Sequence, residues 1–157
     1  MDDKEFQETL QNALKNGNTE KVIDLIKDFI SQNEINEDCA VSIKNIIKTI
    51  GRGLSGLKID GYQGDFPTFI EPVSLIPGVK IGDTVLLGPN VLIGKDCQLG
   101  GFCELVNTVL LDKVTLGKLC KLNSCIINGN VTLPEKFHAK DCFITINENG
   151  EIETLNI

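Results

Sequence analysis

The sequence predicts a mainly β chain: a parallel β-helix of about four coils, preceded by a small three-helix unit and closed by a C-terminal β-hairpin. Three observations predict it. From Phe69 the chain reads in sixes (FIEPVS, LIPGVK, IGDTVL, LGPNVL, IGKDCQ, LGGFCE), each opening on an apolar residue and carrying Val or Cys four places later. Turn formers such as Gly82-Asp83-Thr84 and Gly88-Pro89-Asn90 separate the apolar pairs. Ahead of these sixes, over residues 3–50, apolar residues recur at helical spacing instead.

The helices come first. Residues 3–15 place Phe6, Leu10, Ala13 and Leu14 on one face, with Asp2 or Asp3 as cap and Asn16-Gly17 as stop. Residues 19–31 place Val22, Ile23, Ile26, Phe29 and Ile30 inward, capped by Asn18 or Thr19. Residues 37–50 carry Val41, Ile43, Ile46, Ile47 and Ile50, with Asn36 as cap and Gly51 at the end. Short links gather them into a helical bundle over residues 1–51. Residues 52–66, with Gly53, Gly56, Gly61 and Gly64, read as a linker. Gly51-Arg52-Gly53 invites a phosphate-loop reading. That reading fails on context, because such loops follow a strand and open a helix.

The β-helix occupies residues 67–142. Val79 and Ile81 lie two apart, so both point to one face of a short strand. Gly and Asn at the turns tolerate positive φ. Strand and tight turn, repeated with one sense, wind into a coil, and stacked coils share one apolar interior. The steps from Leu105 to Leu110 and from Leu122 to Ile127 are five residues, not six, and they lie seventeen apart. The short step therefore falls at the same corner of successive coils, which argues for three sides. Residues 143–157 read as a hairpin around Glu148-Asn149-Gly150-Glu151. Open coil ends need covers, so the helices are expected over one end and the hairpin over, or extending, the other.

Net charge is −7, spread over both halves, and no basic stripe is present. Nucleic acid and membrane are not expected partners. The N-terminus lacks an apolar signal region, which leads to a cytoplasmic expectation with free thiols. Cys97, Cys103 and Cys120 occupy the small inward slot, and Cys103 and Cys120 fall one coil apart. No Cys-x-x-Cys pair is present and no metal is expected.

The runs PVSLIPGVKIGDTVLLGPNVLIGKDCQLG and CELVNTVLLDKVTLGKLCKLNSCIINGNVTL resemble the hexapeptide-repeat left-handed β-helix superfamily. Their six-five alternation looks most like the C-terminal domain of sugar-1-phosphate nucleotidyltransferases of the glucose-1-phosphate thymidylyltransferase-like kind. The resemblance covers about residues 67–134 and implies the left hand. Sterics alone favour right-handed crossovers in about 98% of cases. It also implies self-association as a trimer and a possible sugar-nucleotide pathway enzyme as partner. The catalytic α/β domain of such enzymes has no counterpart in the helical residues here. The expected role is therefore a non-catalytic assembly or regulatory module without cofactor.

The alternative is a hexapeptide acyltransferase acting on a sugar or sugar nucleotide with a coenzyme A thioester. Such enzymes commonly use a histidine as general base, and His138 is the only one in the chain. It lies beyond the repeats beside Lys140, which favours a solvated surface residue. A single histidine also cannot supply a three-histidine metal site of the kind found in β-helix carbonic anhydrases.

Overall fold

The structure is a computed structural model that describes residues 2–157. Helix α1 spans Asp3–Lys15, and its cap is Asp2, whose carboxylate accepts from the Glu5 amide at 2.8 Å. Helix α2 spans Thr19–Gln32, capped by Asn18 accepting from the Lys21 amide at 3.2 Å. Thr19 is not the cap; it is buried, and its hydroxyl accepts from Ser74 at 3.2 Å. Asn36 caps a 3-10 turn, Glu37–Cys39, which passes into helix α3, Ala40–Gly53. The helix runs through Gly51 because its next two residues keep helical backbone; Leu54 ends it in extended conformation.

The rest is a left-handed parallel β-helix of about five turns. The first face stacks Leu57–Lys58, Val73–Leu75, Val91–Ile93 and Thr108–Leu110. The second stacks Gln63–Gly64, Lys80–Ile81, Gln98–Leu99, Thr115–Leu116 and Thr132–Leu133. The third stacks Thr68–Phe69, Leu86–Leu87 and Glu104–Val106. Two longer strands, Lys121–Ile127 and His138–Ile146, turn a corner and complete the third and first faces together.

Five turns replace the expected four because both flanks contribute. The segment 52–66 is not a free linker: Leu57–Lys58 and Gln63–Gly64 pair with the next coil. His138–Ile146 pairs in register with Lys121–Ile127. Ile152–Asn156 then folds back antiparallel on it, so the hairpin extends the first face.

Register confirms the three sides. Partners lie eighteen residues apart from Val73 to Val91 and seventeen from Val109 to Ile126. The residue lost comes from the corner between third and first faces. Where the coil is long, Gly88-Pro89-Asn90 turns it; where it is short, Asn107 or Ser124 turns it alone with φ of 50° or 57°. Asn90 donates to Asn107 at 2.9 Å, tying two coils at that corner.

Inside runs one apolar column from Val73 to Ile144. Tyr62 and Phe69, ring centroids 5.6 Å apart, pack on it at the first coil, and Phe137 and Ala139 pack on it at the last. The helices cover neither end. They lie on the first face, whose outward residues Leu92, Val109, Ile126 and Phe143 are buried with Leu10, Ile26, Ile46 and Ile50. The expectation of an end cap failed for a physical reason. On this face four outward positions in successive coils are apolar, and a wide apolar face outweighs two small coil ends. Burying four such side chains stabilises the docking by roughly 10 kcal/mol in total. Lys27 reaches from α2 to Asp112 at 2.8 Å across the same seam. Among the described residues no helix is long and apolar enough to cross a membrane.

Candidate functional site

With the first face covered by helices, two faces remain exposed. The second presents Gln63, Lys80, Gln98, Thr115 and Thr132 outward, a flat polar ladder. The third is shaped. Alternate residues of its strands point outward in two columns. One column reads Leu86, Glu104, Lys121, His138, and the other reads Gly88, Val106, Asn123, Lys140. Together they line an open groove of about 460 Å³.

The groove has two unlike ends. Leu86, Gly88 and Val106 make the earlier end apolar, and Leu86 and Val106 are half-buried. At the later end Lys121 lies in register with His138, and Asn123 with Lys140. Parallel strands sit about 4.8 Å apart, so these four side chains form one compact patch. Glu104 is the one carboxylate lining the groove; its oxygen is 3.9 Å from the Lys121 ammonium, and both side chains are exposed.

His138 is thus exposed, as expected, but it does not stand alone. The seventeen-residue register that the sequence reveals is what brings Lys121 beside it. Lys121 and Asn123 carry no motif of their own in the sequence, and only the pairing of separate coils sets them beside His138 and Lys140.

The cysteines lie where the inward slot was expected, and two more join them. Cys97, Cys103, Cys120, Cys125 and Cys142 are all buried, Cys39 is half-buried, and all six are free. Burial pushes the Cys97 thiol up to about 12, and its sulfur donates to the Leu111 carbonyl at 3.0 Å. Cys125 and Cys142 stack with sulfurs 3.5 Å apart. Cys103 is pushed up by a hydrogen bond to Cys120 and Cys125 by one to Cys142, and each then by burial. The same hydrogen bonds lower the partner thiols, Cys120 to about 7 and Cys142. Gly51, Arg52 and Gly53 close the last turn of α3. Among the described residues no group of three or more His, Cys, Asp or Glu side chains could hold a metal ion.

Beside the groove, a column of residues turns the corner between second and third faces with left-handed backbone: Phe66, Thr84, Phe102, Leu119 and Lys136, at φ of 53°, 54°, 61°, 64° and 62°. Three are large and apolar, and all three are exposed: Phe66 by 89%, Phe102 by 51% and Leu119 by 39%. This ridge is the feature that sequence reasoning missed. A left-handed corner of this kind usually takes Gly, Asn or Asp, so the hexad rule does not anticipate apolar residues there.

Comparison with family models matches residues 69–152, more than half of the chain, to the GMPPB C-terminal domain. No curated protein and no solved structure matches.

Proposed function

We propose that this chain, which belongs to the GMPPB C-terminal domain family, the hexapeptide-repeat β-helix of sugar-1-phosphate nucleotidyltransferases, is a non-catalytic assembly and regulatory module. Its β-helix associates with copies of itself as a trimer, and a sugar-nucleotide pathway enzyme is its partner. The helical bundle occupies the first face, so association uses the corner ridge and the surfaces beside it.

The observation that carries the reading is the apolar ridge. A non-glycine residue in left-handed backbone costs on the order of 1–2 kcal/mol, and exposed apolar side chains grouped together mark interaction surfaces. Phe66, Phe102 and Leu119 combine both costs in one column of a β-helix whose relatives by resemblance self-associate. A second copy presents the same ridge and covers it with like surface. Light scattering at micromolar concentration is expected to give three times the chain mass; a monomer at that concentration would remove the self-association.

The position of His138 in the groove supports a second reading, an acyltransferase using coenzyme A across a subunit boundary. Titration calorimetry with coenzyme A separates the two. Binding, with turnover lost in His138→Ala, would replace the module by the enzyme. No binding leaves the module. Immobilised protein is expected to retain a nucleotidyltransferase from the native extract.

A further inference from the structure

We propose that Cys125 and Cys142 are a modification site, at which a hydroperoxide oxidises the two thiols to a disulfide that clasps the last two coils together. The inference goes beyond the assembly and coenzyme A readings and depends on neither.

The carbonyls around the inward slot set this pair apart. Three slot thiols each donate to a carbonyl fourteen residues later: Cys97 to Leu111 at 3.0 Å, Cys103 to Gly117 at 3.2 Å and Cys120 to Pro134 at 3.2 Å. Cys142 lies in the last coil, and the chain beyond it runs back antiparallel, so no further coil offers that carbonyl. Among the described residues its one hydrogen-bond partner is the Cys125 sulfur, at 3.5 Å. The register is the second argument. Cys125 and Cys142 are directly opposed on parallel strands. Their Cα atoms are thus about 4.8 Å apart, within the range of roughly 4.4–6.8 Å that a disulfide spans. A sulfur held by no carbonyl can turn about its Cα–Cβ bond to close the gap.

Cys142 is the attacking group, because its hydrogen bond with Cys125 lowers its thiol and the thiolate is the nucleophile. Its sulfur takes the outer oxygen of the hydroperoxide. The S–O bond forms, the O–O bond breaks, and an alcohol leaves, or water where the oxidant is hydrogen peroxide. The Cys125 sulfur then attacks the sulfenic acid. The S–S bond forms, the S–O bond breaks, and hydroxide departs as water with the Cys125 proton. The two thiols lose two electrons and the hydroperoxide gains them. Cys142 is buried, so the oxidant enters as the terminal coil opens. A chain-terminal unit opens at lower cost than the body of a fold, and His138, Lys140 and Asp141 beside it are exposed. Ile126 and Phe143, the next residue of each strand, are buried against the helices. The bridge therefore clasps the part of the first face that carries the bundle.

The full chain would be treated with hydrogen peroxide, and its cysteine peptides mapped by mass spectrometry without reduction. A peptide pair joined through Cys125 and Cys142 is expected, and dithiothreitol is expected to separate it. The oxidised chain is expected to unfold about 5 °C higher, because closing this loop restricts the unfolded chain. Cys125→Val and Cys142→Val place the residue of neighbouring slots at these positions, and each is expected to lose both the bridge and the temperature rise. Unmodified Cys125 and Cys142, a bridge between Cys103 and Cys120 in their place, or sulfinic acid at Cys142 without a bridge would overturn the proposal. An oxidised chain that unfolds at or below the temperature of the reduced one would also overturn it.

Discussion

Gly117 shows how little room a coil leaves for a side chain. A Cβ built there lies 2.6 Å from the backbone nitrogen of Glu135 in the next coil, and Gly100 meets Lys118 in the same way. Backbone cannot yield as a side chain tip can. Gly117→Ala is expected to destabilise the fold by about 1–3 kcal/mol, read as a lower denaturation midpoint. Cys97 makes a second prediction at this scale. Its thiol is raised from an ordinary 9.0 to about 12 in the folded chain. Below pH 9 it is neutral folded and unfolded alike, so its contribution is fully present there. Between about 9 and 12 the unfolded chain ionises first, and stability falls by roughly 1.4 kcal/mol per pH unit. Cys97→Val puts the residue type of neighbouring slots into the position. It is expected to cost under about 1.5 kcal/mol at pH 7 and to flatten the alkaline loss measured by urea unfolding. An unchanged alkaline slope would contradict the assignment.

At the scale of elements, the docking of the helices on the first face rests on packing more than on charge. Ile126 is 1% exposed between the coil and the bundle. Ile126→Ala is expected to cost about 2–5 kcal/mol. The Lys27–Asp112 pair crosses the same seam, but the lysine side chain is 43% exposed. Lys27→Ala is therefore expected to cost under about 1 kcal/mol. A denaturation series on the two variants orders these effects, and a larger loss from Lys27→Ala would reverse the account. The helices themselves follow local rules closely, with Asp2, Asn18 and Asn36 each accepting at a helix or turn start. Their place on a side face follows instead from Leu92, Val109, Ile126 and Phe143. Each of these is a single outward residue per coil, and none stands out in the linear hexads.

For the whole molecule, the proposed self-association makes the corner ridge the surface to test. Asn tolerates left-handed backbone and is polar. The double variant Phe102→Asn, Leu119→Asn is thus expected to keep its unfolding temperature within a few degrees while losing self-association in sedimentation. Loss of fold in this variant, or retained assembly, would count against the ridge as interface. The groove and the ridge share an edge, since Phe102 and Leu119 precede Glu104 and Lys121 by two residues each. A chain docked on the ridge therefore borders the groove.

Much of this architecture is legible in the linear order of residues. Helical spacing, Asx caps, the hexad and its two five-residue steps determine three helices and a three-sided coil, because each is a local rule acting over one turn or one strand. Asn149-Gly150 determines the hairpin in the same way. The number of turns, the seating of the helices, the stacking of Cys125 on Cys142 and the meeting of Lys121 with His138 were decided only by the tertiary structure. Each depends on which outward residues of separate coils become neighbours. That follows from strand register and from the competition between faces for cover, neither of which any single stretch of chain encodes.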